Sequence, residues 1–334
     1  MSDRVLAGRR ILLTGGTGFV GRTLLDHLQK VRHSDTQVVV LSRNPSEFIV
    51  RFPEYAGKPW LNFVKGDVLE RIDGIGAISD VIHAAADTHE TSDDIIWVEQ
   101  IVTGTRRMLD LAVRFGASRF LFVSSGAIYG PQPASLACMA ETYGGAPDTA
   151  LLSSTYGQAK RTAEQLCTIF QHRHGLNTLT ARCFSFVGKH VPLHGQYAIG
   201  NFIADALDPD CSEIVVKGDG QTIRTYLDGE DMARWLLKIL TCGTKGLAYN
   251  VGSSEPVTIV DLASTVARVL APGKPVRVLG KNGPDTARSI YIPCIGRMED
   301  LGERPRWSLE ESIGRAAAAI KSSGRMPTRK RQKL

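Results

Sequence analysis

The chain has 334 residues, 43% hydrophobic and 22% charged, which excludes an intrinsically disordered protein and suffices for one large or two smaller domains around a buried core. No run approaches the roughly 20 apolar residues of a membrane span, and the opening MSDRVLAGRR lacks a signal-peptide core, so no membrane partner is expected. The net charge of +6 is local: six Lys or Arg and no Asp or Glu lie from Lys321 onward, so residues 321–334 read as a basic, disordered tail and no nucleic-acid partner is expected.

From the N-terminus, short apolar runs alternate with amphipathic stretches, as strands do with the crossover helices of a parallel sheet. Strands are predicted at 10–14, 37–41, 61–65, 80–84, 119–124 and 178–182, and helices at 18–31, 94–115 and 154–174. Near-continuous apolar strands such as Val38-Val39-Val40-Leu41 suit a sheet buried on both faces. The fold class is therefore α/β: a doubly wound parallel-sheet Rossmann domain with ligands at the carboxyl ends of its strands. After about residue 185, Gly and Pro become dense. Shorter strands (213–217, 276–279) and helices at 259–270 and 309–320 read as a smaller α/β C-terminal lobe that closes over the ligand edge. The six cysteines, Cys138, Cys167, Cys183, Cys211, Cys242 and Cys294, show no C-x-x-C or metal spacing, so no metal is expected and they read as reduced thiols of a cytoplasmic protein.

Directly after the first strand comes Thr14-Gly15-Gly16-Thr17-Gly18-Phe19-Val20-Gly21, which opens a helix. Glycines at 15, 18 and 21 allow a tight turn, close approach to a pyrophosphate, and close packing of helix on strand. At the end of the second strand an NAD site commonly carries Asp or Glu for the ribose 2′-OH. Here Ser42 and Arg43 stand instead. A hydroxyl with a guanidinium binds a 2′-phosphate that a carboxylate would repel, which favours NADP(H). NAD(H) is the alternative, with Arg43 stacked on adenine or turned to solvent. Asp67, in Gly66-Asp67-Val68, is placed to accept from the adenine amino group, although Gly-Asp is also an ordinary turn. Ala84-Ala85-Ala86 would let a cofactor pass close to the backbone.

The fifth strand runs out into Ser124-Ser125-Gly126-Ala127-Ile128-Tyr129-Gly130, and Tyr156-Gly-Gln-Ala-Lys160 opens a later helix with Tyr and Lys on one face. Moving hydride at carbon requires moving a proton at the attached oxygen. A free Tyr is a poor base at neutral pH, and a lysine one turn away would lower its pKa. Tyr156 is the candidate proton donor, Lys160 its partner and Ser125 the anchor for the substrate oxygen.

Together these residues resemble the extended short-chain dehydrogenase/reductases of the nucleotide-sugar epimerase/dehydratase group, over residues 8 to 320. Further landmarks are His83-Ala84-Ala85-Ala86, Arg182-x-Phe184, Gly218-Asp219-Gly220, Arg224-Thr225-Tyr226, Asp231 and Tyr249-Asn250-Val251-Gly252. The resemblance implies that residues 1–185 with about 228–255 hold NAD(P), and that 186–227 with 256–320 hold a nucleotide-sugar substrate. It also places Ser124, Tyr156 and Lys160 beside the cofactor. Arg224 and Arg288 resemble arginines on the substrate diphosphate, and Asn201 lies on the segment that contacts it. Homodimerisation through the helices at 94–115 and 154–174 is implied as well.

Departures from the family pattern narrow the activity. Dehydratases of the group carry Asp and Glu directly after the hydroxyl residue, and 3,5-epimerising reductases carry Cys where Ala127 stands. Gly126 and Ala127 do neither job. What remains is an NADP(H)-dependent reductase of a nucleotide-linked 4-keto-6-deoxy sugar. The alternatives are a C4-epimerase with tightly held NAD(P), a dehydratase with an atypical acid, and a non-catalytic NADP-sensing protein. The group often has Asn where Ile101 and Ser185 stand, so the sugar pocket differs from the common one. His190 and His194 lie on the loop into the second lobe, where a satisfied or solvated role is favoured over that of an extra acid.

Overall fold

The first strands are almost wholly apolar because each is covered on both faces in the computed structural model, which describes residues 3–85, 93–280 and 289–324. In chain order the elements are β1 (Arg10–Thr14), α1 (Phe19–Val31), β2 (Gln37–Ser42), α2 (Pro45–Arg51), β3 (Leu61–Lys65), β4 (Asp80–His83), α3 (Asp94–Val98), α4 (Gly104–Arg114), β5 (Arg119–Ser125), α5 (Thr155–His174) and β6 (Asn177–Cys183). They continue with β7 (Ser185–Val187), α6 (Ala198–Leu207), β8 (Ile214–Val216), β9 (Ile223–Asp228), α7 (Gly229–Cys242), β10 (Ala248–Val251), β11 (Pro256–Thr258), α8 (Ile259–Leu270), β12 (Val276–Val278), β13 (Ile290–Tyr291), α9 (Gly296–Asp300) and α10 (Leu309–Ser322).

Seven parallel strands form the main sheet in the order β10-β6-β5-β4-β1-β2-β3. The chain moves outward from β1 to β2 and β3, then crosses back to β4, so the strand order reverses between β1 and β4 and opens a crevice at their carboxyl ends. Alternate residues along each strand serve opposite faces. Leu13, Val38, Val40 and Ile82 pack with Leu24, Leu28 and Trp235 from α1 and α7, whereas Leu12, Val39, Val81 and Phe122 pack with Met108, Ala112 and Ala163 from α4 and α5. Each fully buried side chain of this size contributes roughly 1.5–3 kcal/mol.

The β5–β6 ladder runs as far as Ser125 opposite Cys183, so both strands outlast the apolar runs that predicted them. Strand β4 stops at His83, one residue short of the expected end. The helix expected at 94–115 is interrupted by a π turn at Glu99–Thr103. The strands β7, β9 and β10 are not among the expected ones: β7 and β10 are three and four residues long, and the six of β9, Ile-Arg-Thr-Tyr-Leu-Asp, contain no apolar run.

After β6 the chain enters a second sheet, β11-β9-β13, in which β7 also pairs with β9, and α7 then returns it to the edge of the main sheet as β10. A third core joins α6, α8 and α10 through Phe202, Ile203, Leu262, Val266 and Ile313. A capping box between Ser308 and Glu311 starts α10.

The expectation of six reduced thiols is corrected: Cys138 and Cys294 form a disulfide, while Cys167, Cys183, Cys211 and Cys242 are free. Their separation of 156 residues hides the pair in the sequence. Backbone bonds bring the two segments together, Met139 N–H donating to Ile292 O at 2.8 Å and Cys294 N–H to Met139 O at 3.0 Å. The thiol argument for a cytoplasmic setting falls with this finding. Among the described residues, no helix is long and apolar enough to cross a membrane.

Candidate active site

The crevice begins at the turn from β1 into α1. Gly15 has φ +69°, and a Cβ there would lie 2.6 Å from the Ala84 carbonyl carbon. A Cβ on Gly21 would lie 2.7 Å from the Gly16 carbonyl carbon, so glycine is required for α1 to approach the turn. Thr14 is buried, its hydroxyl 2.7 Å from His83 Nδ1 and accepting from Ala85 N–H at 3.2 Å, which ties β1 to the Ala84-Ala85 segment. Helix α1 has Gly18 as its N-cap and no side-chain cap, so its first-turn N–H groups face the crevice without a local carboxylate or hydroxyl. An anionic pyrophosphate fits this uncapped terminus. Thr17, Phe19 and Val20 are partly buried there, and Phe19 stacks at 6.3 Å on Phe186 of β7.

At the end of β2, Ser42 pairs in register with Lys65 of β3, which puts a cation on the strand beside Ser42. Asp67 accepts from Leu69 N–H at 2.9 Å and so closes its own turn. Val68 packs on α4, where a Cβ on Gly104 would lie 3.0 Å from Val68 Cγ2. Ala86 and Arg288 lie outside the described residues.

The second half of the site forms where β5 meets α5. Successive strand residues point to opposite faces, which separates Ser124 from Ser125. Ser124 is buried and donates to Glu164 Oε1 at 2.6 Å. Ser125 Oγ accepts from Ala127 N–H at 3.1 Å and lies beside the Tyr156 phenol. Desolvation raises the Tyr156 pKa, Tyr197 at the start of α6 adds to the rise, and the Ser125 hydroxyl opposes it. Trp97 of α3 stands edge-on to the Tyr156 ring at 5.8 Å. Lys160 is buried; its ammonium donates to Val123 O at 2.8 Å and lies 4.7 Å from the Phe122 ring centre. Burial lowers its pKa to about 8.

A glycine turn at a topological switch point, with a Ser at the end of β5 and a Tyr/Lys pair on α5, is the arrangement of a dinucleotide-dependent enzyme. The model of the "NAD dependent epimerase/dehydratase family" matches residues 11–252. This chain belongs to that family. It is an enzyme of the extended short-chain dehydrogenase/reductase type. UDP-glucuronic acid decarboxylase 5 of Arabidopsis thaliana is 28% identical over 91% of this chain and 87% of its own length. dTDP-glucose 4,6-dehydratase of Streptomyces antibioticus is also 28% identical, over 91% of this chain and 90% of its own. The crystal structure of dTDP-glucose 4,6-dehydratase from Bacillus anthracis, in complex with NAD, superposes with a TM-score of 0.79 at 18% identity, over 95% of this chain and 98% of that one.

Several family landmarks lie under the site rather than in it. Arg182 pairs with Glu164 at 2.8 Å and donates to the Tyr129 hydroxyl at 2.9 Å; Tyr129 donates to Asn250 Oδ1 at 2.8 Å. Asn250 in turn donates to Met139 O at 2.7 Å and Cys294 O at 2.9 Å. Ser124 belongs to this same network, which locks β5, β6, β10 and the disulfide-bearing loops together.

On the substrate side, Arg224 donates to Ile223 O at 2.8 Å and Ser289 Oγ at 3.3 Å, its guanidinium 5.5 Å from the Tyr291 ring centre. Asn201 donates to Gly195 O at 2.9 Å. His194 is exposed, and His190 is buried against Asp26 at 2.9 Å on the far side of α1, so neither adds an acid to the phenols. Sequence reading missed Tyr291, whose ring packs on Phe184 at 4.4 Å beside Ser125. A tyrosine in a two-residue strand carries no motif. The only available signal was the bare Gly126 that it covers.

Proposed function

We propose that this family member is an NADP(H)-dependent reductase of a nucleotide-linked 4-keto-6-deoxy sugar. The observation that carries the reading is that Ser125 and the Tyr156 phenol lie together with no carboxylate, among the described residues, acting on Tyr156. Gly126 and Ala127 supply none, and Glu164 is committed to Ser124 and Arg182. Elimination needs an acid and a base at neighbouring carbons, whereas carbonyl reduction needs one proton donor.

Gly15, Gly18, Gly21 and the α1 N-terminus would hold the pyrophosphate, and Ser42 with Arg43 and Lys65 supports an adenosine 2′-phosphate. A bound nicotinamide dinucleotide supplies the hydride. Ser125 orients the substrate oxygen and Tyr156, kept protonated by desolvation, donates its proton to that oxygen. Lys160 has three donors, of which Val123 takes one, and a pKa near 8 leaves it mostly protonated at neutral pH to restore the Tyr156 proton. Arg224 suits the diphosphate. Homodimerisation through α3–α5 is part of the proposal, supported by the exposed Ile95, Val98, Leu151 and Leu152 on and beside those helices.

A second reading is transient C4 oxidation with the cofactor retained, favoured by the likeness to UDP-glucuronic acid decarboxylase 5. A carboxylate β to a transient ketone leaves as carbon dioxide without a side-chain acid at the broken bond. The test incubates the protein with NADPH or NADH and a panel of nucleotide-linked 4-keto-6-deoxy sugars, and separately with UDP-glucuronate and UDP-hexoses, with Tyr156→Phe as the control. Net NADPH oxidation that Tyr156→Phe abolishes supports the reductase. Sugar interconversion or carbon dioxide release without net cofactor oxidation replaces it with the second reading.

A further inference from the structure

The candidate proton donor and the serine beside it stand on different elements, and one half-buried guanidinium joins the two. Arg182 of β6 lies in register with Ser124 of β5, so both side chains point to the face that α5 covers. Arg182 Nε and Nη2 donate to the Glu164 carboxylate at 3.2 and 2.8 Å, and Nη1 donates to the Tyr129 hydroxyl and the Glu141 carbonyl, both at 2.9 Å. Ser124 adds its hydroxyl to Glu164 at 2.6 Å. Glu164 lies on α5 one turn beyond Lys160 and two beyond Tyr156, on the same helical face. Tyr129 ends the short turn Gly126–Tyr129 that follows Ser125.

Stability alone does not account for this pair. The Arg182 and Glu164 side chains are only 13% and 14% exposed, and a buried ion pair gives up about as much hydration as its attraction returns, so apolar residues of similar size hold a core as well. What they cannot reproduce is direction. The guanidinium is a planar fork whose three nitrogens all donate here, whereas a lysine has a single nitrogen that cannot serve Glu164, Tyr129 and Glu141 together. We infer that Arg182 and Glu164 are positioning residues that act through Ser125 and Tyr156: the fork ties the turn after Ser125 to the helix that carries Tyr156, and so fixes the spacing of the two hydroxyls. In the proposed reaction both hydroxyls meet one substrate oxygen, where a misplacement of about 1 Å costs on the order of a hundredfold.

The turn is held on its other side as well, because Tyr129 is buried and donates to Asn250 Oδ1 of β10 at 2.8 Å. Arg161 of α5 also reaches it, at Ile128 O, by a longer bond of 3.3 Å. Loss of the fork therefore loosens the spacing without freeing the turn. Arg182 and Glu164 carry opposite charges, so removing both leaves the net charge around Lys160 as it was, and Lys160 keeps its own bond to Val123 O at 2.8 Å.

The inference rests on Ser125 and Tyr156 as the reacting pair, so its test includes a measurement that needs no turnover. The decisive variant is Arg182→Met combined with Glu164→Leu in the full chain. It should fold, with a melting temperature within about 5 °C of the parent's. With any sugar that the parent turns over, kcat should fall roughly tenfold while KM stays within about twofold. Arg182→Lys, which keeps the charge and loses the fork, should lose as much, and adding Glu164→Gln to it should cost no more. Unchanged kcat in the folded double variant overturns the proposal, as does a double variant that fails to fold or loses activity only in proportion to its folded fraction. For the second readout the chain is labelled with carbon-13 at tyrosine Cζ, and the Tyr129 and Tyr156 resonances are assigned by their loss in Tyr129→Phe and Tyr156→Phe. Tyr129 loses a direct partner in the double variant and moves in any case. Tyr156 lies two helical turns from Glu164, so its shift reads the transmitted change, and a stationary Tyr156 resonance overturns the proposal. A shifted Tyr156 resonance in a protein that turns over no nucleotide sugar leaves the positioning standing and sinks the proposed function instead.

Discussion

The Lys160 ammonium donates to the Val123 carbonyl at 2.8 Å, inside the contact of α5 with the sheet, and stands 5.9 Å from the Tyr156 ring centre. Burial lowers its pKa from 10.5 to about 8. The unfolded chain therefore binds more protons between these values, and stability rises with pH across that window; below it the full cost of burying the charge remains. Lys160→Met should raise stability at pH 7 by up to roughly 3 kcal/mol and lose this advantage above about pH 10.5, while turnover falls. Urea unfolding at both pH values checks this, and a less stable Lys160→Met at neutral pH refutes it.

His83 behaves in the same sense on the acid side. Burial, with a smaller push from Lys160, lowers its pKa from 6.5 to about 3, while its ring bridges the Thr14 hydroxyl at 2.7 Å and the Thr105 hydroxyl at 3.2 Å. The unfolded state takes up a proton first, so stability declines as pH falls from 6.5 towards 3, by roughly 1.4 kcal/mol per pH unit. His83→Gln should flatten that slope in denaturant unfolding. Part of it will persist, because burial lowers His27 to about 4 as well.

Gly126 should not accept even a methyl group. Its Cβ would meet the Tyr291 and Phe184 rings, so Gly126→Ala should cost about 1–3 kcal/mol and reduce kcat without removing any polar group. Full activity and an unchanged melting temperature would show that the rings move aside freely.

The disulfide is countable. Chain denatured without reductant should titrate as four free thiols, rising to the full six after reduction. Cys294→Ser should destabilise the protein by about 2–5 kcal/mol, because the closed loop constrains the unfolded chain. Six thiols before reduction would remove the bond.

Arg43 is expected to set the cofactor preference in the proposed reductase. Arg43→Ala should lower kcat/KM with NADPH by about tenfold or more and change that with NADH little, because the proposed 2′-phosphate contact is lost. Equal losses with both cofactors would place Arg43 on the adenine instead.

The glycine turn, the strand–helix alternation and the Ser125/Tyr156/Lys160 set were legible because each depends on residues a few positions apart: a φ of +69° at Gly15, an apolar period in β1 and β2, one helical turn from Tyr156 to Lys160. The local pattern also carried the switch point, since it follows from parallel strands joined by helices. Other features depended on which distant segments pair. Ser124 was found bonded to Glu164 because the strand alternates faces, and Asp67 was found closing its own turn. Cys138 met Cys294 across 156 residues, and Tyr291 came to Ser125 through a two-residue strand beside β9. Backbone conformation is set by near neighbours and is written locally; contacts across a folded core arise from the joint packing of all its elements. That is why the placing of Tyr156 and Lys160 on one helical face could be read from the sequence alone, while the second phenol near them was decided only by the tertiary structure.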